Sequence, residues 1–295
     1  VFLCRVALTI KILIMKNTIT KIKKVVAAFS LLIGGMSVNA ATFTATTSGN
    51  WSSATTWGGT APGNNITLDQ VTIPTGINVI LDENVVFNGL LASLDVNGSL
   101  TSATTDSLMI TQGALGGSGT MTLSYLSFGA AGSMGFFFFF YVDKLENSSV
   151  SFSVVSTINL NDALSLQAGS LSLANGGVFT LMSSANIKVA GGSIVISGGL
   201  FNSTNNYNVI YVGGNKTSGI ELSGSGLQDV YVNLGNNSQS VSLGSNSTIN
   251  ATLTLQRGNL DLNGNDLTIK GDFIYGGGSF EGSALSSLAF DISNG

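Results

Sequence analysis

Leu253-Thr-Leu255-Gln-Arg257-Gly258-Asn-Leu260-Asp-Leu262 reads as two short runs of alternating apolar and polar residues hinged on a glycine. A two-residue period puts Leu253 and Leu255 on one side of an extended segment, and Leu260 and Leu262 on one side of the next. Thr, Asn and Asp then point the other way. Strands this short bury too little to fold alone, so the question is what they stack against. The same unit recurs around Leu94, Gly98 and Leu100, around Leu164, Gly169 and Leu173, and around Ile187, Gly191 and Ile196. Glycines follow apolar runs at positions 169, 191, 213, 235 and 258, a spacing of about 22 residues. Periods of about 20 to 50 residues mark stacked repeats. Past residue 40 no window of about a dozen residues holds apolar positions at helical spacing. The chain has two prolines, Pro62 and Pro74, and few Asn-Gly hairpin signals between strands. Strands that pair with the next turn of a coil fit this better than strands paired by hairpins. The expected fold is all-β, a single-stranded parallel β-helix whose turns share one apolar core. The alternative is one or more β-sandwiches.

The N-terminus carries an address. Lys16, Lys21, Lys23 and Lys24 precede an apolar run over residues 25–36, and Ser37-Val38-Asn39-Ala40 forms a small-residue cleavage pattern. These are the three parts of a secretory signal peptide. The run falls short of the roughly 20 residues a membrane helix needs, so no transmembrane span is expected after cleavage. Met15 reads as the initiator, with residues 1–14 upstream of it. The single cysteine, Cys4, lies in that upstream stretch, which leaves the mature chain without a disulfide. The expected organisation is residues 1–40 as leader, 41–101 as an N-terminal capping segment and 102–295 as β-helix repeats. The expected location is secreted, extracellular or at the outer-membrane surface.

Beyond residue 40 the chain keeps five of its eleven basic residues and all fifteen acidic ones, a formal charge of −10. An acidic surface without a basic patch excludes nucleic acid as a partner. There is no histidine in the chain, which removes the usual base of a serine hydrolase. The remaining cations, Lys144, Lys188, Lys216, Arg257 and Lys270, are scattered. Glycoside hydrolysis needs two carboxylates about 5 to 10 Å apart, and Asp261, Asp266 and Asp272 are the acidic residues closest to forming such a group. Asp261-Leu-Asn263-Gly-Asn265-Asp266 spaces oxygen ligands somewhat like a calcium loop, but it lacks the bidentate glutamate and suits a tight turn equally. No enzyme activity, metal or cofactor is expected.

Two aromatic features stand out. Trp51 and Trp57 stand close together in sequence beside Pro62, where large rings can plug the exposed first turn of a solenoid or offer a stacking face to a sugar. Residues 136–140 are five consecutive phenylalanines followed by Tyr141. In a strand Phe137, Phe139 and Tyr141 share one face while Phe136, Phe138 and Phe140 share the other. One set fills a core, and the other packs under a neighbouring segment or meets a partner. Phe137, Phe139, Tyr141, Trp51 and Trp57 are therefore the candidate ligand contacts.

Gly49-Asn50-Trp51, Thr56-Trp57-Gly58-Gly59, Ala61-Pro62-Gly63, Val71-Thr72-Ile73-Pro74, Val79-Ile80-Leu81-Asp82 and Leu94-Asp95-Val96-Asn97-Gly98 follow one another in the first mature stretch. This order resembles the opening of the eight-glycine domain and of related β-strand-repeat proteins exported by Bacteroidetes, over residues 48–101. The phrase Gly258-Asn-Leu-Asp-Leu-Asn-Gly-Asn-Asp-Leu-Thr-Ile-Lys-Gly-Asp-Phe273 resembles repeats of the same proteins. The resemblance implies a right-handed parallel β-helix, surface display, type IX secretion as a candidate route, and an adhesin or spacer role with surface glycans or other surface proteins as partners. A carbohydrate-active β-helix is the alternative function. Those proteins often finish with a C-terminal sorting domain for type IX secretion, and the sequence stops at residues 293–295 before one, so the expectation is either a fragment truncated within the repeats or another export route. Asp106-Ser107-Leu108 resembles their short acceptor motif for O-glycosylation.

Overall fold

The computed structural model describes residues 40–291 except 104, 135–138, 148–149, 153–156, 167–169, 174–176 and 183. Residues 1–39, all but the last residue of the expected leader, and Phe137 lie outside the described residues. Ala41–Gly295 form one compact unit.

The unit is a parallel β-solenoid of about nine turns. Every described strand pair runs parallel, from Thr42–Thr44 on Gln70–Ile73 to Asp266–Ile269 on Ser287–Phe290. The sandwich alternative fails on this point, because hairpin and Greek-key sandwiches pair antiparallel. Val79 pairs with Leu100 and Leu100 with Met121, steps of 21 residues, while Ile187 pairs with Val209, a step of 22. The shortest step is 18, from Ser107 to Tyr125, and the longest is 30, from Gly49 to Val79. Ser99–Ser102 pairs with Asn78–Leu81 on one side, and its residues Ser99 to Thr101 pair with Thr120 to Thr122 on the other.

Alternation decides which side chains go in. Along Ala185–Val189 the burial alternates strictly, with Ala185, Ile187 and Val189 inside and Asn186 and Lys188 outside. Parallel register then stacks like on like. Leu145, Leu164, Ile187, Val209, Val230 and Leu253 form one continuous apolar column, each buried. Each such side chain contributes about 1.5–3 kcal/mol on leaving water, and no single turn can realise that gain without its neighbours. Outside, polar side chains bond from rung to rung: Asn88 to Asn65 at 2.8 Å, Ser99 to Asn78 at 2.9 Å and Asn208 to Asn186 at 3.2 Å.

The first turn is filled by the two tryptophans. Trp51 is fully buried, its ring N–H donating to the Gly63 carbonyl at 2.7 Å, and Trp57 donates to the Trp51 carbonyl at 2.7 Å. Their rings meet edge to face, 5.1 Å between centroids, and Trp51 reaches Phe87 at 6.4 Å.

In the C-terminal half each turn has three strands. Leu253–Arg257, Asn259–Asp261 and Asp266–Ile269 make one rung, each strand in a different sheet. The corner between the last two turns on Asn263 and Gly264, both with left-handed φ, 47° and 79°. The Asp261 carboxylate accepts from the Asn263 N–H at 2.9 Å. The Asn263 side chain reaches back to the Leu243 carbonyl of the preceding turn at 3.2 Å, and Asn tolerates a left-handed φ better than most residues, so this stretch is a corner of the coil.

Candidate functional site

Among the described residues the sheet pattern changes between Ile194–Ile196 and Ser247–Ile249, and a buried polar cluster lies at that change. A three-stranded sheet built from Val150–Phe152, Leu171–Leu173 and Ile194–Ile196 ends at its last member. A four-stranded sheet starts at Lys216–Thr217, and another three-stranded sheet starts at Ser247–Ile249. Between them the chain makes a 3-10 turn, Ile220–Leu222, where a strand would otherwise stack.

Ending a sheet inside a solenoid leaves a row of backbone groups without partners. In the preceding rung the Leu171 N–H donates to the Ser193 carbonyl of the next turn at 3.0 Å. Ile194 is the equivalent residue on the terminal strand, and its N–H donates to Glu221 Oε2 at 3.0 Å. The carboxylate thus stands where the next strand's carbonyl would be. Its other oxygen, Oε1, accepts from the Gly219 N–H at 2.8 Å and from the Tyr211 hydroxyl at 2.9 Å. The Tyr207 hydroxyl donates to the Glu221 carbonyl at 2.8 Å and accepts from the Gly224 N–H at 3.1 Å. Glu221 has no exposed surface. Burial pushes its carboxyl above the ordinary range, opposed by the backbone N–H donors and Tyr211. Burial, with Glu221 nearby, also raises both tyrosines well above their usual values.

Two glycines are required by this packing. A Cβ on Gly219 would fall 2.1 Å from the Ile194 carbonyl oxygen, and one on Gly224 would fall 2.1 Å from Ser203 Oγ and 2.5 Å from Tyr207 Oη. Gly224 is also the point where the interior cluster meets the surface. Just outside it lies a polar depression of about 330 Å³, walled by Ser223 and Ser225 on one side and by Asn246, Thr248, Asn250 and Lys270 on the other. It exists because Ser247–Ile249 is an edge strand, with a strand stacked on one side only.

The expected site residues fall elsewhere. Trp51 is 0% exposed and Trp57 6%, with both ring N–H groups held by carbonyls, so neither ring offers a face to a ligand. Phe139 and Tyr141 are placed by backbone in the strand Phe139–Asn147, in register with Thr120 and Thr122. Asp261, Asp266 and Asp272 do not share a strand or a sheet. Asp261 ends a strand of the four-stranded sheet, Asp266 begins one of the last three-stranded sheet, and Asp272 precedes Phe273–Tyr275 of the large sheet. Asp261 is engaged by the Ser242 hydroxyl at 3.1 Å as well as by its own turn. Among the described residues no three His, Cys, Asp or Glu side chains come together as a metal site. None of the described helices is long and apolar enough to cross a membrane. Ser107, of the acceptor-like motif, donates to Asn84 Oδ1 at 2.8 Å.

Sequence reasoning passed over Glu221. The available signal was one acidic residue set between Ile220 and Leu222, after a long stretch without another glutamate. Comparison with protein-family models, with curated proteins and with solved structures finds no match to this chain.

Proposed function

We propose that this chain is an exported, non-catalytic β-solenoid of the eight-glycine and β-strand-repeat kind. It works at the cell surface as an adhesin or spacer that touches glycans or other surface proteins. The observation that carries the reading is where its carboxylates lie. The buried one, Glu221, is sealed from solvent and occupied by two backbone N–H groups and a tyrosine. Asp261 and Asp266 lie in different sheets and Asp272 just before a strand of a third, while Glu281, in register beside Asp261, accepts from the Asn259 amide at 2.6 Å and Asp261 itself from Ser242 and its own turn. Hydrolysis of a glycan by a carboxylate pair needs two such groups facing one cleft, and these positions favour a polar outer face used for contact. The long column of stacked apolar side chains supports the spacer role, since each added turn extends the rod without new topology.

Export and display are tested on the full chain in the cells that make it. The mature form is expected to begin near Ala41, and protease added to intact cells is expected to cut it. A chain that keeps residues 1–40 and resists protease until the cells are lysed refutes the reading.

A further inference from the structure

We propose that the depression beside the 3-10 turn is a binding site for an anionic saccharide, a sugar whose ring carries a carboxylate or sulfate group. The proposal rests on the glycan-contact reading above and narrows it to one place and one ligand class.

Its wall is rich in unused donors. Among the described residues the Lys270 ammonium, the Thr248 hydroxyl and the Ser225 hydroxyl have no hydrogen-bond partner. Asn246 uses its Oδ1 to accept the Asp266 N–H at 2.9 Å, which leaves its amide N–H groups unbonded. Asn250 spends its amide N–H on the Ser225 and Leu227 carbonyls, both at 2.9 Å, and so presents its Oδ1 as an acceptor. Neutral donors and one acceptor suit sugar hydroxyls, and the ammonium supplies the charge an anionic substituent needs. No carboxylate and no aromatic ring lines the site. In a chain whose part beyond residue 40 carries −10, this concavity has one cation and no acid in its lining. Its volume lies at the lower end of the range of about 300–1,000 Å³ for small-ligand sites, which fits one or two sugar rings and excludes a folded partner.

The wall is also fixed before any ligand arrives. The Ser223 N–H and hydroxyl both donate to the Ile220 carbonyl, at 3.0 and 2.8 Å. Gly224 is held against Tyr207 by its N–H. Across the gap, Asn250 and Lys270 stand on consecutive rungs, just past the paired residues Ile249 and Ile269. A site whose frame is already bonded loses little freedom on binding.

The test is calorimetric titration of residues 41–295 with three probes: oligogalacturonate, a sulfated galactan oligomer and a neutral galactan oligomer of matched length. The variants are Lys270→Gln, with Lys188→Gln as the control for charge loss on another outward strand face. The expected result is binding of at least one anionic probe, weakened about tenfold or more by Lys270→Gln, reduced by added salt and unaffected by Lys188→Gln. Carboxylate and sulfate are separated by which anionic probe binds. Anionic binding that Lys270→Gln leaves unchanged overturns the site while leaving glycan contact standing. Binding of the neutral probe alone overturns the ligand class, and binding of none of the three overturns both.

Discussion

Replacing Glu221 probes the joint of the solenoid, and three substitutions should rank in a definite order. In Glu221→Ala the Ile194 N–H, the Gly219 N–H and the Tyr211 hydroxyl lose their acceptor inside a site with no solvent exposure. Each orphaned group costs about 1–3 kcal/mol, partly recovered by water entering the vacated space and by removal of a buried acid. A net loss of about 3 kcal/mol follows. Glu221→Gln keeps the shape but is also harmful. Each carboxyl oxygen accepts a backbone N–H, so either orientation of the amide points an NH₂ at a donor. A protonated carboxyl would keep a lone pair on both oxygens, and an amide nitrogen has none. The loss expected is about 2 kcal/mol. Tyr211→Phe removes one of the three donors and should cost about 1 kcal/mol. The assay is urea unfolding of residues 41–295 together with hydrogen exchange at the Ile194 and Gly219 amides, because local opening of a repeat array can escape a global probe. Exchange at both amides should accelerate in Glu221→Ala and Glu221→Gln. A Gln variant as stable as the parent, with both amides still protected, would refute the idea that the carboxylate replaces a missing strand.

Other consequences follow from the same geometry. Because burial raises the Glu221 pKa, its contribution to stability is fully present below the unfolded value near 4.5 and is lost as pH rises through the folded one. The parent should therefore lose stability with rising pH relative to Glu221→Ala, seen as converging urea midpoints. Gly224→Ala places a methyl group 2.1 Å from Ser203 Oγ, and about 1–3 kcal/mol of overpacking should appear together with weaker binding of anionic probes. Trp51→Ala empties the first turn, and a loss of about 3–5 kcal/mol should show as faster exchange at the Trp51-facing strands before those near residue 250. Gly264→Ala, at φ 79°, should cost about 1 kcal/mol in urea unfolding without changing the circular dichroism.

The inward ladder was legible from sequence because strands such as Ala185–Val189 and Tyr207–Gly213 have one dry face and one wet face, so a two-residue period maps onto burial. The glycine spacing of about 22 residues approximates the true steps of 18 to 30, which vary because corners such as the tryptophan loop take up extra residues. Glu221 was not legible for a local reason. Between Ile220 and Leu222 a two-residue period sends the glutamate outward, and the 3-10 turn, with its period of about three, sends it inward. Tyr207 and Tyr211 sit at regular inward positions of Tyr207–Gly213 and read as ordinary core, their hydroxyls being the part that pattern cannot place. The depression joins Ser223, Thr248 and Lys270, which meet only through the register of successive turns.

The central claim is that this solenoid holds glycans or surface partners without altering them. The most direct test passes a panel of extracellular polysaccharides over immobilised residues 41–295 and reads both retention and the appearance of new chain ends, reducing or unsaturated. The account predicts retention of a glycan with no new ends at any incubation time. New ends that accumulate in proportion to the protein, and vanish with a substitution at Asp261, Asp266 or Asp272, would contradict it.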